Sequence, residues 1–201
     1  MFRDAGCDIL GVEIDPRMAE VARRSGLDVE VAPFETWDSA GRIFDLLISG
    51  QAWHWVDPVG GAVKAASLLP AGGRVALFWN VGAPSPEVAE ELNEVYRRLA
   101  PGLDDYSVLL GHGDPDRFVH GADGLRSTEQ FSEPERWIFQ WEREYSRAEW
   151  LDQLPTHSDH RSLDPERREV LLSAVGEVID AMGGSFVMHY SAAVLTATRN
   201  A

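Results

Sequence analysis

An apolar run near the start of the chain ends in acid: Ile9 to Asp15 reads Ile-Leu-Gly-Val-Glu-Ile-Asp. A carboxylate at the end of a buried strand can accept hydrogen bonds from the paired hydroxyls of a ribose, and Glu13 is placed for that role. The competing reading is a solvated strand end. His54, between Trp53 and Trp55, is the second position with chemistry to offer. Its imidazole can act as a general base, and the flanking indole faces can hold a cation or an apolar substrate. Ordinary hydrogen-bonded packing would explain the same triplet. Arg161, close to Thr156, His157 and His160, could grip a substrate carboxylate through two parallel bonds or simply sit at the surface. His112, Asp114, Asp116, His120 and Asp123 carry metal-ligand chemistry, but no helical or strand spacing aims them at one point, so no metal is expected.

The elements that must position these groups follow from local pattern. Ile9 to Asp15 reads as a buried parallel strand, and Asp15-Pro16 as the cap and first turn of a helix with Met18, Val21 and Ala22 on its apolar stripe. Gly26 is a left-handed stop. Val29 to Val31 and Phe44 to Ile48 are the next strands. Asp57-Pro58 opens a helix running to Pro70, and Arg74 to Trp79 is a fourth strand after the Ala71-Gly72-Gly73 turn. Strands alternating with helices indicate a parallel sheet with crossover helices. Ser85-Pro86 begins another helix. Pro101 to Pro134, rich in Gly, Asp and Pro, reads as a long loop within a substrate cap. Trp137, Phe139 and Trp141 alternate as in a strand with one well-buried face. Ser146 to Glu149 is a capping box with Tyr145 and Trp150 as its hydrophobic staple. Asp164-Pro165 opens a long helix ended by Gly183-Gly184, and Phe186 to Thr198 is a closing strand.

The chain has 201 residues and a net charge of −15, from 18 basic and 33 acidic side chains. With 44% hydrophobic and 25% charged residues it can bury a sizeable core. Without a basic cluster, a nucleic acid or an anionic membrane surface is not an expected partner. A single cysteine, Cys7, excludes an internal disulfide, and no stretch approaches a membrane span or a signal peptide. The expectation is a cytoplasmic protein.

Three segments together resemble the class I S-adenosylmethionine-dependent methyltransferases, in particular their type 11 members. They are Ile9 to Met18, the Phe44-Asp45 strand, and Leu68 to Val75 (Leu-Leu-Pro-Ala-Gly-Gly-Arg-Val). Gln51 to Trp55 is similar to a segment that follows the fourth strand in small-molecule members, and the end of the chain resembles the family's final strands. The resemblance implies a Rossmann-like, doubly wound α/β sheet that takes S-adenosylmethionine as cofactor and methylates a small molecule. It further implies that Glu13 binds the ribose, that Met18, Phe34 and Glu35 border the adenine, and that Gly50 and Gln51 lie beside the methionine portion. Trp37 would border the adenine or cover the sheet end. His54 would serve as base where the acceptor loses a proton, with Trp53, Trp55 and Arg161 contacting substrate. The implied organisation is a cofactor-binding core at 1–84, a cap at 85–135, and strands and a helix completing the sheet at 136–201.

One departure stands out. The family's first strand and its glycine-rich loop are absent, and Met1 to Cys7 looks like the tail of the helix that follows that loop. The missing strand belongs in the middle of the sheet, so two inner edges are expected to lack their neighbour. The expectation is a protein that extends upstream of Met1. A genuinely short form would instead pair the inner strands directly, exchange elements within a homodimer or borrow a strand. An inactive binding module that keeps this fold is the alternative function. A nicotinamide-dependent dehydrogenase shares the acidic strand end, but fits the late strands poorly.

Overall fold

A computed structural model describes residues 2–101, 103 and 115–201. Its strands are β1 (Leu10–Glu13), β2 (Asp28–Val31), β3 (Leu46–Gly50), β4 (Arg74–Pro84), β5 (Glu135–Ser146) and β6 (Ser185–Thr198). The helices are α1 (Pro16–Arg24), α2 (Pro58–Leu68), α3 (Pro86–Leu99), α4 (Pro115–Ser127), α5 (Arg147–Gln153), α6 (Ser158–Ser162) and α7 (Pro165–Ala181). Strands β1 and β2 form a parallel pair with Glu13 opposite Val31, and the other four run in the order β3-β4-β6-β5. β3 is parallel to β4, with Gly50 opposite Phe78. Among the described residues, β1 pairs with β2 alone and β3 with β4 alone. The direct pairing of β1 with β3 open to a short form is thus not formed. No described helix is long and apolar enough to cross a membrane.

The chain divides into two compact units. The first holds the residues up to Phe78 with Asp116–Arg136 and Leu195–Ala201; the second runs from Trp79 through α3 and includes Trp137–Val194. In the first, α2 is an alanine-rich crossover helix whose Ala62, Ala65 and Ala66 are buried. Small side chains let a helix lie close to a neighbouring layer, and Val75 and Leu77 of β4 are fully buried in the same unit. Its cap forms as the sequence indicates: the Asp57 carboxylate accepts from Gly60 N at 2.6 Å. The buried Thr196 hydroxyl donates to Val75 O, so its polar group is satisfied inside the apolar layer.

Three expectations are corrected in these elements. The stretch read as a loop from Pro101 to Pro134 contains α4, and residues 116–136 belong to the first unit. Gly124 is the reason, since it brings α4 so near the start of α2 that a Cβ there would stand 2.2 Å from Pro58 O. On α1 the buried residue is Ala19, whereas Met18 is 58% exposed and Val21 also faces solvent, so these two members of the apolar stripe lie at the surface. Finally, β5 has no well-buried aromatic face. It is the terminal strand, and large apolar side chains stand exposed on both of its faces, Trp137, Phe139 and Trp141 on one and Ile138 on the other. His112 and Asp114 lie outside the described residues, and no group of three potential ligands gathers among those described.

The second unit is built around aromatic and aliphatic packing. Leu92, Val95 and Tyr96 of α3 are buried with Leu171, Val175 and Ile179 of α7, and with Phe186 and Met188 of β6. The Ser146–Glu149 capping box starts α5, and the rings of Tyr145 and Trp150 meet edge to face at 5.1 Å. Trp150 is fully buried, also packing edge-on against Phe186.

Candidate functional site

In an open parallel sheet, ligands gather at the carboxyl ends of the strands, where loops and helix starts meet. In the first unit three such ends are tied together. Ala32 N, just beyond β2, donates to Glu13 O at the end of β1. The turn Phe34–Thr36 that follows is linked to the segment after β3 by the rings of Phe34 and Trp53, 5.7 Å apart. It is linked to the start of α2 by Glu35, whose Oε1 accepts from Asp57 N at 3.0 Å.

The half-buried Glu13 carboxylate accepts from Asp15 N at 2.9 Å through Oε1, which fixes its direction at the strand end and leaves its second oxygen for a further donor. Neighbouring acids are used differently. Asp15 caps α1, and Arg17 draws its pKa down to about 2 through paired hydrogen bonds. Glu30 is held at about 2 by the Arg42 guanidinium and by the Trp37 indole N–H. Trp37 is buried and fastened to Glu30.

After β3 the backbone turns sharply. Gly50 has no room for a side chain, because a Cβ would stand 2.6 Å from Cε2 of Phe78. Gln51 takes a left-handed conformation, with φ at 54°, and donates its N–H to Phe78 O at 2.9 Å. A non-glycine residue held at positive φ carries strain of about 1–3 kcal/mol, and such strain gathers at ligand sites. Nothing in the sequence signals this geometry, since Gln is not a left-handed former.

The Trp-His-Trp segment is a short 3-10 turn. Trp53 is only 4% exposed; it backs Phe34 and crowds Gly61 of α2, and its indole Nε1 is buried without a hydrogen-bond partner. Trp55 is 83% exposed. His54 is half-buried, its ring centroid 4.9 Å from that of Trp55. The three residues therefore have separate positions: one inside the packing, one at its edge and one outside. Met18 stands exposed in the first turns of α1, and Arg161 is exposed on α6 of the second unit.

Sequence reading did not single out the buried pair in the second unit. Tyr96 Oη and His160 Nε2 share a hydrogen bond of 2.8 Å, and His160 Nδ1 is buried without a partner. Burial, with His157 close by, draws the His160 pKa down to about 4. His160 is thus a neutral core histidine at pH 7.

Comparison with known proteins bears on the first unit most directly. Residues 1–77 match the family described as "Methyltransferase domain". Uncharacterized methyltransferases of Mycobacterium bovis and Mycobacterium tuberculosis are 27% identical over 158 residues, which cover 77% of this chain. The match spans 57% of those relatives' length. Among solved structures, a protein of Anaeromyxobacter dehalogenans assigned as a type II methyltransferase is similar over 94% of this chain and 79% of its own, with 20% identity and a TM-score of 0.58. A Bacillus halodurans protein, also assigned as a methyltransferase, is similar over 96% and 83%, with 14% identity and a TM-score of 0.52. With the strand-end geometry above, residues 1–77 match a methyltransferase domain, and the chain has a Rossmann-like α/β fold similar to that of these methyltransferase structures.

Proposed function

We propose that this chain is an S-adenosylmethionine-dependent methyltransferase acting on a small molecule. The observation that carries the reading is the junction of three strand ends in the first unit: Glu13 O accepts from Ala32 N, and the Phe34–Glu35 turn is tied to Trp53 and Asp57 in the segment that follows Gly50 and Gln51. These residues fit the cofactor. Glu13 offers a directed carboxylate to the ribose hydroxyls, Phe34 and the exposed Met18 offer apolar surface to the adenine, and Glu35 lies beside its amino group. Gly50 lets the Phe78 ring lie against the end of β3, and the left-handed Gln51 turns the backbone there for the methionine portion.

When bound, the cofactor supplies a methyl group on a sulfonium, which already leaves readily. The protein's task is then alignment and exclusion of water. Trp55 presents an open aromatic face that can cover an apolar or cationic acceptor. His54 takes the proton where the acceptor must lose one, and Trp53 holds the Phe34 side of the site in place from within. The acidic surface suits neither nucleic acid nor an anionic membrane as substrate, and a cytoplasmic location belongs to the same proposal.

The sheet edges favour a second reading. β1 and β3 each pair on one side among the described residues, and a parallel strand between them would bring a glycine-rich loop to the cofactor. Residues 1–201 alone would then bind weakly and act as an impaired enzyme or as a binding module of the same fold. Incubation with methyl-tritiated S-adenosylmethionine and fractionated cell extract separates the readings. Label in the small-molecule fraction supports the enzyme; cofactor binding without label in any fraction supports the binding module; label only in protein or RNA overturns the small-molecule assignment.

A further inference from the structure

Among the described residues, strand β5 ends the order β3-β4-β6-β5, so one of its backbone edges has no strand beside it. Every residue from Glu135 to Glu144 is exposed, including Trp137, Ile138, Phe139 at 57% and Trp141. A long, apolar, open edge is a template for another strand, and natural proteins usually bend, shorten or cover it. The strand is also rigidly prepared. Trp141 stacks on Tyr190 at 4.2 Å and donates its indole N–H to Asn80 Oδ1 at 3.0 Å.

The order of residues along β5 identifies the strand that fits. Glu135-Arg136-Trp137-Ile138-Phe139-Gln140-Trp141-Glu142-Arg143 is complementary to its own reverse about Phe139. We propose that β5 pairs antiparallel with β5 of a second copy, around a two-fold axis at Phe139. In that register Glu135 lies opposite Arg143, Arg136 opposite Glu142, Trp137 opposite Trp141 and Ile138 opposite Gln140. Directly opposed residues share a face of the sheet, so opposite charges and aromatic rings meet in stabilising cross-strand pairs. The register is also guarded against slippage. A slip that moves the axis between Phe139 and Gln140 sets Arg136 against Arg143 and Glu135 against Glu144. The slip the other way sets Glu135 against Glu142.

Arg143, Glu142 and Arg136 make their present contacts at the exposed surface of the strand. Arg143 and Glu149 pair at 3.1 Å while each stays half exposed, and Glu142 stands 3.6 Å from an exposed His189. Arg136 rests over the Phe118 ring at 4.8 Å. A closed two-fold pairing uses the same edge on both copies and leaves no free edge for a third.

Sedimentation equilibrium of the purified 201-residue chain, with R136E, E142R and R136E/E142R, tests this proposal. The parent chain is expected to dimerise. Each single substitution turns two symmetric attractions into repulsions and should raise the dimer Kd roughly tenfold. The double substitution exchanges the charges and should return Kd to within about twofold of the parent, even though the Phe118 contact is still lost. A parent chain that stays monomeric overturns the proposal. So does a dimer indifferent to the single substitutions, or one that the double substitution fails to restore. Amide hydrogen exchange on the unsubstituted chain gives a check that needs no variant to fold. Protection from Glu135 to Arg143 should rise with protein concentration, and its constancy would contradict the pairing.

Discussion

Gly50 and Phe78 face each other across β3 and β4 so closely that position 50 admits no side chain: a Cβ would stand 2.6 Å from the Phe78 ring. The same Phe78 accepts the Gln51 N–H through its carbonyl, which fixes the left-handed turn at the end of β3. One residue thus shapes the strand end twice, by the volume of its ring and by its backbone.

Gly50→Ala should therefore push the Phe78 ring or the strand aside. Overpacking of this kind costs about 1–3 kcal/mol, and S-adenosylhomocysteine affinity should fall at least about tenfold as the turn shifts. Urea unfolding and calorimetric titration measure the two effects. Unchanged affinity would remove Gly50 and Gln51 from the cofactor site.

Glu13→Ala separates binding from folding. The carboxylate gives the fold one bond, to Asp15 N, so stability should change by about 1 kcal/mol. Hydrogen bonds to a charged acceptor contribute about 1.5–3 kcal/mol, so cofactor affinity should fall roughly 10- to 100-fold. Equal affinity in the variant would remove the ribose assignment.

His160 predicts a pH dependence. Its folded pKa is about 4 against 6.5 for the free side chain, so between those values the unfolded chain binds more protons than the folded one. Stability contributed by neutral His160 is complete above about pH 6.5, declines as pH falls, and stops declining near pH 4. His160→Gln should flatten this part of a plot of Tm against pH, and a slope equal to the parent's would contradict the burial argument.

The second unit offers two graded stability tests. Ser146→Ala removes the cap bond to Glu149 N and the Ser146 side of the box, which should cost about 1 kcal/mol. Trp150→Ala empties a fully buried site between Tyr145 and Phe186 and should cost about 3–5 kcal/mol. Chemical unfolding of each variant checks the ranking, and equal losses would mean that the α5 start depends on its cap more than on its staple.

Helix starts were the most legible part of the sequence, because a cap is a local bargain between one side chain and one backbone N–H. Asp15, Asp57, Ser85 and Asp164 each precede a proline, and each side chain accepts from its helix as expected. α4 was not legible. Its weak periodicity gains meaning only from Gly124 lying against Pro58, a contact distant in sequence. The exposure of β5 escaped for a related reason: alternation indicates a strand but not whether anything covers its faces. At the site, the acid at the end of β1 and the Trp-His-Trp segment could be read directly. The left-handed Gln51 could not, because the Phe78 contacts that hold it lie on another strand.

The most direct measurement is the thermal unfolding of residues 1–201 with increasing S-adenosylhomocysteine, for the parent and for Glu13→Ala. A ligand that binds only the folded state stabilises it by RT ln(1 + [L]/Kd), about 2.7 kcal/mol at a hundredfold excess over Kd. The expected result is a Tm that climbs with ligand into the millimolar range in the parent and much less in Glu13→Ala. A Tm that does not move at millimolar ligand, or moves equally in both proteins, would contradict a cofactor site built on Glu13 at the strand ends.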